Sequence, residues 1–294
     1  MTPKMDGLKT VVLAFGFLVF LTLSVVAHPV LDVVRDVERN LDARVGFYMQ
    51  DLQTGEVVAY AADDRFPMNS TFKLLACGAL LDRVQGAQAQ LSDRVSLQGV
   101  TMETYSAAMK VHIQQGHTDL SLGDACGMML SVSDNTATNL VLAEIGGPQG
   151  MTAYLRSIGD QVTRLDRWEP EMSQSTPGDV RDTTTPRAIA QSVQRIVIGD
   201  ALSDASQQVL GGWLAEHSVA DALFRAALPP DWSIDDRTGA GGYGSRSIVA
   251  VMYPPGRKPV VASLFMTETD GDIHSRNAAA AKVGAAIVAH VANP

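Results

Sequence analysis

Hydrophobic and polar residues follow several different spacings along this chain of 294 residues. Residues 30–41 place valines and leucines on one helical face, which predicts an amphipathic helix. Apolar residues then alternate from Val45 to Met49 and return at residues 57–60, on either side of the turn-forming residues 53–56. This second pattern predicts a β-hairpin.

From residue 63 to residue 217 the apolar spacing is mostly helical. Candidate capping residues precede three of the runs: Ser70 before 71–85, Asp134 before 135–145 and Thr185 before 186–198. Residues 163–185 interrupt this zone with a stretch rich in Asp, Arg, Thr and Pro that has no clear period. A connection of this length is typical of a functional loop.

Strand patterns return near the end of the chain. Residues 247–252 and 260–266 are rich in β-formers and are joined by the turn residues 254–256, after which residues 278–291 form an apolar helical run. Strands at both ends and helices between them predict an α+β fold with one antiparallel sheet, built from both chain termini and flanked by helices.

The same pattern predicts that an all-helical lobe is inserted into this sheet domain. We expect the α/β lobe to comprise about residues 28–62 and 218–294, and the helical lobe to comprise about residues 63–217. A cleft is expected between the two lobes, within a single domain of residues 28–294.

The first 27 residues have the features of a secretory signal peptide. Lys4 and Lys9 precede an apolar run at residues 11–23, and Val25 and Ala27 are small residues at the positions that a leader peptidase reads. The alternative is an uncleaved membrane anchor, but the run is short for a span of about 20 residues. We therefore expect cleavage after Ala27 and a periplasmic or secreted protein without stable membrane association.

Composition narrows the possible partners. The chain is 46% hydrophobic and 19% charged, which is typical of a folded globular protein. Its formal net charge is −9 and its pI is about 5.1. This acidity argues against a nucleic-acid partner and leaves small molecules or proteins.

The two cysteines, Cys77 and Cys126, have two interpretations. In an exported protein they are candidates for one structural disulfide. They are equally consistent with two separate buried thiols, and their spacing does not decide between these alternatives.

Ser70 and Lys73 form the first candidate catalytic pair. Phosphate-binding glycine loops, Gly-x-Ser-x-Gly elbows and zinc-type histidine spacings are all missing from the sequence. A serine at a helix start lies beside the positive end of the helix dipole, and a lysine three residues later lies on the same face. Such a cation or base can activate a hydroxyl, although this short motif also occurs by chance.

Ser133-Asp134-Asn135 is a rarer tripeptide. It is a good helix start, and it also offers a hydroxyl that can relay a proton and an amide that can hold a carbonyl.

A third motif, Arg237-Thr238-Gly239-Ala240, lies where a terminal strand should run along the cleft. Its glycine permits close approach of a ligand, and Arg237, Thr238 and Arg246 supply donors for a carboxylate. The alternative is a glycine-rich hairpin beside solvated arginines.

Glu169 lies in the long loop at residues 163–185, directly before Pro170 and among several charged residues. These charges indicate either an ordinary surface loop tied by ion pairs or a rigid loop that presents Glu169 as a general base to water.

Taken together, these four motifs in this order closely resemble the class A serine β-lactamases over essentially the whole chain after residue 27. The residues Arg164-Leu165-Asp166-Arg167-Trp168-Glu169-Pro170 and Arg181-Asp182-Thr183-Thr184-Thr185-Pro186 match the two ends of the omega loop of that family. Arginine at position 237 resembles the carbenicillin-hydrolysing subgroup.

The resemblance implies a role for each site residue. Ser70 would be the acylated nucleophile, Lys73 its proton partner, Ser133 the relay to the lactam nitrogen and Glu169 the base for the deacylating water. Asn135 would contact the amide of the substrate side chain, and Tyr105 would form a wall of the cleft. The backbone N–H groups of Ser70 and Ala240 would form the oxyanion hole, and Arg237, Thr238, Gly239 and Arg246 would bind the substrate near its carboxylate.

The resemblance also implies structural features: an Arg167–Asp182 ion pair, a cis peptide bond before Pro170 and a Cys77–Cys126 disulfide. It implies no metal or organic cofactor, and we expect a monomer whose partner is a small β-lactam.

One residue departs from the family pattern. The family usually has asparagine four residues after the loop glutamate, where it helps to hold the hydrolytic water, and this chain has Ser173. A hydroxyl is shorter than an amide and lacks its two-ended hydrogen bonding, so we expect weaker positioning of the water.

Three functions remain open from the sequence: a β-lactam hydrolase, a penicillin-binding transpeptidase or carboxypeptidase, and a non-enzymatic β-lactam sensor. Glu169 favours the hydrolase, since the transpeptidases lack a loop glutamate and sensors usually carry a membrane-spanning module.

Overall fold

A computed structural model of the chain describes Met1, residues 28–215 and residues 219–293. Apart from Met1, the predicted signal peptide lies outside the described residues. Within the described residues, no helix is both long and apolar enough to cross a bilayer.

Nine helices and nine strands make up the described part of the chain. The helices are α1 (Pro29–Leu41), α2 (Phe72–Gln85), α3 (Ala107–Gln114), α4 (Leu122–Ser131), α5 (Asn135–Glu144), α6 (Gly147–Ser157), α7 (Pro186–Val197), α8 (Asp204–Ala215) and α9 (Ile273–Ala292). The strands are β1 (Arg44–Asp51), β2 (Val57–Tyr60), β3 (Phe66–Pro67), β4 (Arg94–Ser96), β5 (Asp119–Ser121), β6 (Thr183–Thr184), β7 (Ser233–Ala240), β8 (Arg246–Tyr253) and β9 (Val260–Thr267).

Five strands form one antiparallel sheet in the order β2-β1-β9-β8-β7. The predicted α+β fold is therefore confirmed, with β1 and β2 from the start of the chain pairing with β7 to β9 from its end. The short strands β3 with β6, and β4 with β5, form two separate pairs. They interrupt the zone of residues 63–217, which was predicted to be mostly helical.

Both faces of the large sheet are buried. Ile248 and Ala250 of β8 pack into the core that α1 and α9 form on one face, whereas Val249 and Val251 pack into the core shared with the helices on the other. Because neighbouring residues of a strand point to opposite faces, a strand covered on both sides needs a continuous apolar run. This explains why the apolar run of β8 lacks polar alternation.

Local capping chemistry explains several helix boundaries. Asp134 accepts a hydrogen bond from the Ala137 N–H at the start of α5, and Thr185 accepts one from the Ala188 N–H at the start of α7. These two predicted caps are confirmed. The predicted Ser70 cap is wrong, because Ser70 lies inside a 3₁₀ turn at Asn69–Thr71 that leads directly into α2.

The C-terminal helix begins earlier than its apolar run indicates. It starts at Ile273, where Asp272 caps it by accepting a hydrogen bond from the Ser275 N–H. The polar first turn carries no apolar spacing, so the sequence pattern detected only the part from residue 278 onwards.

Cys77 of α2 and Cys126 of α4 form a disulfide, with their Cα atoms 5.9 Å apart and both side chains fully buried. The pairing that the family resemblance implied is confirmed. In the loop-entropy picture, a bridge that closes 49 residues stabilises the fold by about 4 kcal/mol. The bridge joins α2, which begins two residues after the candidate nucleophile Ser70, to α4, the helix that precedes Ser133.

Candidate active site

Ser70 lies at the junction between the 3₁₀ turn and α2. Its backbone is part of the turn Asn69–Thr71, and α2 begins two residues later at Phe72. Lys73 is one turn further along and its side chain is fully buried. The sequence motif therefore places a hydroxyl at the electropositive end of a helix, with an amine directly beneath it.

The Lys73 ammonium group is at the centre of the site. Its Nζ donates to the Ser133 carbonyl oxygen at 2.8 Å, to Ser133 Oγ at 3.1 Å and to Asn135 Oδ1 at 2.7 Å. It also lies 3.1 Å from Oε1 of Glu169. One buried amine thus connects three of the sequence motifs.

Burial lowers the pKa of Lys73 to about 8, against an opposing effect of the Glu169 carboxylate and with a further lowering from the Arg237 charge. A lysine with this pKa is neutral in roughly a tenth of molecules at pH 7, whereas an exposed lysine is almost fully charged. Lys73 is therefore able to act both as a proton acceptor and as a proton donor.

Ser133 lies between α4 and α5 with a positive φ of 64°. Its Oγ donates a hydrogen bond to Ser70 Oγ at 3.0 Å. The two hydrogen bonds are therefore donated in the same direction, from Lys73 to Ser133 and from Ser133 to Ser70. This is the order needed to deliver a proton to a group bound beside Ser70.

The long loop at residues 163–185 places Glu169 beside Lys73. Glu169 is 2% exposed, and the peptide bond before Pro170 is cis, as the resemblance implied. Asn139 of α5 holds its backbone at both ends, since Asn139 Nδ2 donates to the Glu169 carbonyl at 3.0 Å and the Glu169 N–H donates to Asn139 Oδ1 at 3.1 Å.

The two ends of this loop are joined through Asp182. Its carboxylate accepts hydrogen bonds from the backbone N–H groups of Asp166 and Arg167 and from Nε of Arg167. The predicted Arg167–Asp182 pair is confirmed. Because Asp182 is 1% exposed, this charge-assisted contact is screened little by solvent and fixes the loop closely.

Ser173 lies beside Glu169 but interacts with it only weakly. Its Oγ is 3.4 Å from Glu169 Oε2 and 3.2 Å from the Met172 sulfur. A hydrogen bond of 3.4 Å between oxygens is long. The geometry is consistent with the weaker water positioning expected from the sequence.

Strand β7 forms the opposite wall of the cleft. A Cβ atom at Gly239 would lie 2.7 Å from the Ser70 backbone nitrogen, so only glycine allows the strand to approach the nucleophile this closely. The neighbouring Ala240 also lines the cleft. The predicted pair of N–H donors, from Ser70 and Ala240, thus belongs to two segments in close contact.

Two buried arginines lie on this wall. Arg237 is fully buried, and its Nε and Nη1 make no hydrogen bond within the described structure. Arg246 donates to Asn277 Oδ1 at 2.8 Å and to the Gly239 carbonyl at 3.1 Å. Burial lowers the pKa of each guanidinium to about 10, which leaves both charged at neutral pH.

The cleft has a volume of about 490 Å³. All predicted site residues line it except Lys73, which lies buried beneath Ser70: Ser70, Tyr105, Ser133, Asn135, Glu169, Ser173, Arg237, Thr238, Gly239, Ala240 and Arg246. Tyr105 stands at the mouth and is 70% exposed. The four motifs, which are spread over more than 170 residues, are therefore brought together at one place.

Comparison with known proteins agrees with this geometry. Residues 30–291 match the profile of the beta-lactamase enzyme family. The curated beta-lactamase AER-1 of Aeromonas hydrophila is 46% identical over 86% of this chain and 83% of its own length. The chain belongs to the class A β-lactamases.

Further relatives support the same family. The beta-lactamases PSE-4 and CARB-3 of Pseudomonas aeruginosa are each 40% identical over 86% of this chain and 87% of their own lengths. A solved structure of an ancestral class A beta-lactamase superposes with a TM-score of 0.85. It is 42% identical, and the alignment covers 89% of this chain and 99% of that one.

A chromosome-encoded beta-lactamase of Vibrio parahaemolyticus has a TM-score of 0.84 at 38% identity, covering 89% of this chain and all of that one. As a class A β-lactamase, the chain is an enzyme that hydrolyses β-lactams.

Sequence reasoning missed two residues that shape the site. Asn139 was detectable in principle, because it lies four residues after Asn135 and hence on the same face of α5. Asn69 gave no signal beyond its position before Ser70.

Asn69 is fully buried and has a positive φ of 47°. Its Nδ2 donates to Ser245 Oγ at 3.0 Å, and its Oδ1 accepts from Ser175 Oγ at 2.8 Å. Ser245 Oγ in turn lies 3.1 Å from Ser175 Oγ. This triad connects the residue before Ser70 to the middle of the long loop and to the residue that directly precedes β8.

Proposed function

We propose that this β-lactamase hydrolyses penicillins of the carbenicillin type through an acyl intermediate on Ser70. The observation that carries the proposal is the buried Arg237 guanidinium on the cleft wall, with two nitrogens that make no hydrogen bond within the described residues. Penicillins bear a carboxylate beside the lactam ring, and a guanidinium is the donor best matched to it.

The charges of the cleft favour an anionic substrate. Lys73, Arg237 and Arg246 contribute three positive charges when protonated, whereas Glu169 contributes one negative charge among the residues named for catalysis and binding. Two of the cations, Arg237 and Arg246, lie on β7 and β8, on the opposite wall of the cleft from α2. A substrate carboxylate placed on that side would be desolvated by burial and paired at the same time.

In the acylation step, Ser70 Oγ attacks the lactam carbonyl carbon and the lactam C–N bond breaks. The Ser70 proton passes to neutral Lys73, and Ser133 gives its own proton to the leaving nitrogen and is reprotonated by Lys73 through their 3.1 Å contact. The N–H groups of Ser70 and Ala240 bind the oxygen as negative charge develops on it.

In the deacylation step, Glu169 accepts a proton from water as the water oxygen attacks the ester carbonyl. The bond from Ser70 Oγ to that carbon then breaks, and the proton that Glu169 accepted is passed back to Ser70 Oγ, which regenerates both groups. Tyr105 bounds the cleft, Asn135 contacts the substrate side chain, and Thr238 assists the arginines. Ser173 contributes weakly to holding the water.

We further propose that the chain is exported after cleavage behind Ala27 and acts as a monomer in the periplasm or outside the cell. Export is supported by the N-terminal pattern, in which Lys4 and Lys9 precede the apolar run at residues 11–23. N-terminal sequencing of the protein recovered from the periplasm should begin at His28, and a chain that begins at Met1 would contradict this proposal.

The substrate class is tested by steady-state kinetics. We expect kcat/KM for carbenicillin to lie within about tenfold of that for benzylpenicillin, because both carry the ring carboxylate that Arg237 and Arg246 would bind and because a cationic cleft should accept the second, side-chain carboxylate of carbenicillin. A preference for benzylpenicillin of more than a hundredfold would overturn the carbenicillin-type assignment and leave the β-lactamase activity standing.

A further inference from the structure

Three side chains from distant parts of the sequence meet at the edge of the molecule formed by β2. His28 precedes α1, Glu56 directly precedes β2, and His290 lies in the last turn of α9. The cluster therefore joins the start of the described domain, its first hairpin and its last helix.

The three side chains bring one potential ligand atom each close together. Nε2 of His290 lies 2.8 Å from Glu56 Oε2, and Nε2 of His28 lies 3.4 Å from Glu56 Oε1. One ligand atom from each residue lies within 4.8 Å of the other two. In a tetrahedral zinc site, bonds of about 2.0–2.1 Å place ligand atoms about 3.3 Å apart. The 3.4 Å separation between His28 Nε2 and Glu56 Oε1 is close to this value.

His28 Nε2 is itself an unusual atom. It is shielded from solvent, and despite its proximity to Glu56 it makes no hydrogen bond within the described residues. Buried ring nitrogens are normally hydrogen-bonded or bound to metal.

We propose that His28, Glu56 and His290 bind a divalent transition-metal ion of the zinc class. Two imidazole nitrogens with one carboxylate suit zinc and its first-row neighbours, whereas calcium and magnesium prefer oxygen ligands alone. Water completes the coordination, since the protein supplies three ligands.

Binding through Nε2 has one structural consequence at His28. Its Nδ1 accepts a hydrogen bond from the Val30 N–H at 3.3 Å, so Nε2 carries the proton of the neutral ring in the metal-free protein. Coordination through Nε2 requires the neutral ring to carry its proton on Nδ1 instead, and a protonated Nδ1 no longer accepts from the Val30 N–H, so this long helix-capping contact is lost. Pro29 at the first position of α1 still favours the helix start.

The site lies at the sheet edge opposite the cleft, because β2 and β7 are the two outer strands. A bound ion would tie α1, the β1–β2 hairpin and α9 together, and we expect it to act on the stability of the fold. A ligand that binds only the folded protein raises its stability by mass action.

The experiment is a titration of the chelator-treated protein with zinc chloride, followed by calorimetry and by thermal unfolding. We expect one zinc ion per chain, and an unfolding temperature raised by about 5 °C at a zinc concentration a hundredfold above Kd. Saturating zinc should leave carbenicillin hydrolysis within about twofold. No saturable zinc binding to the wild-type protein would overturn the proposal.

Variants separate the site from other zinc-binding groups. His290→Ala and Glu56→Gln should each weaken zinc binding at least tenfold, because each variant removes one of the three protein ligands. The matched control is His274→Ala, which removes an exposed histidine from the first turn of the same helix and should bind zinc as the wild type does. Zinc binding that survives both His290→Ala and Glu56→Gln would overturn the three-residue site.

His28→Ala completes the test. Its stability without zinc is measured first, because this variant also removes the Val30 contact. Loss of zinc binding in a folded His28→Ala protein supports the site, whereas unchanged affinity excludes His28 as a ligand and contradicts the proposal.

Discussion

The side chain of Asn139 forms two hydrogen bonds with the backbone of Glu169, one to its carbonyl oxygen and one from its N–H group. The proposed general base is thus held by a helix of the domain as well as by its own loop. Positioning of this kind matters because a displacement of about 1 Å in a catalytic group reduces its rate by about a hundredfold.

Asn139→Ala should therefore slow deacylation roughly 10- to 100-fold, as expected for the loss of two hydrogen bonds of about 1 kcal/mol each and for the resulting freedom of Glu169. Stopped-flow kinetics with carbenicillin should show a burst whose size approaches one acyl group per enzyme. An unchanged deacylation rate would show that the loop positions Glu169 without Asn139.

Ser173→Asn should accelerate deacylation by a few-fold, because the longer amide reaches further than the Ser173 hydroxyl, which is 3.4 Å from Glu169 Oε2. Ser173→Ala is the matched control and should leave deacylation equal to or slower than that of the wild type. A slower step in Ser173→Asn would reject the idea that this position limits the hydrolytic water.

The pH profile of acylation should reflect Lys73. Because burial lowers the pKa of Lys73 to about 8, the fraction of neutral Lys73 that can accept a proton increases as the pH rises. The pH profile of kcat/KM should therefore have a rising limb with an apparent pKa near 8. The Arg237 charge contributes to this lowering.

Arg237→Met should therefore move that limb to higher pH, and Arg237→Lys, which keeps the charge, should leave it near 8. Measurement of kcat/KM between pH 6 and about 10 covers the range concerned. A limb at the same pH in both variants would exclude the charge of Arg237 as a cause of the shift.

Binding of the substrate carboxylate should depend on Arg246. Arg246→Ala should raise KM for carbenicillin about 10-fold or more, as expected for the loss of one charge-assisted hydrogen bond of about 1.5–3 kcal/mol. The control is a penicillin esterified at the ring carboxylate, for which wild type and variant should have similar KM values. An equal loss with the ester would show that Arg246 acts through the structure of β8 instead.

The Asn69 triad should contribute to stability. Asn69→Gly tolerates the positive φ but removes both hydrogen bonds, so it should lower the free energy of unfolding by about 1–3 kcal/mol, since buried Ser175 and Ser245 lose a partner. Asn69→Ala should lower it further, because a Cβ without the local hydrogen bonds strains this conformation. Urea unfolding measures both, and equal stability of Asn69→Gly and wild type would contradict the role of the triad.

Features set by local chemistry could be predicted from the sequence. The sheet strands follow from the apolar runs at β8 and β9, and the caps at Asp134 and Thr185 follow from side chains that bond to N–H groups three residues away. The site motifs were recognisable because each implies a particular chemical role. Ser70 with Lys73 indicates an activated hydroxyl, Gly239 beside Arg237 indicates a strand that binds a carboxylate, and Glu169 in a charged loop indicates a general base.

Features that depend on contacts between distant segments could not be predicted. The triad joins Asn69 to residues more than 100 positions away, and the cluster at β2 joins His28 to His290. The 3₁₀ turn at Ser70 was also missed, and it too lies in contact with a distant segment, since a Cβ at Gly239 would fall 2.7 Å from the Ser70 nitrogen.

The most direct test of the account is the intact mass of Glu169→Gln after mixing with carbenicillin. The amide cannot accept a proton from water, so we expect a lasting adduct of one substrate mass on Ser70 in Glu169→Gln. Glu171→Gln, which changes an exposed neighbour on the same loop, should turn over substrate without accumulating an adduct. Sustained turnover by Glu169→Gln without an adduct would contradict the assignment of Glu169 as the deacylating base.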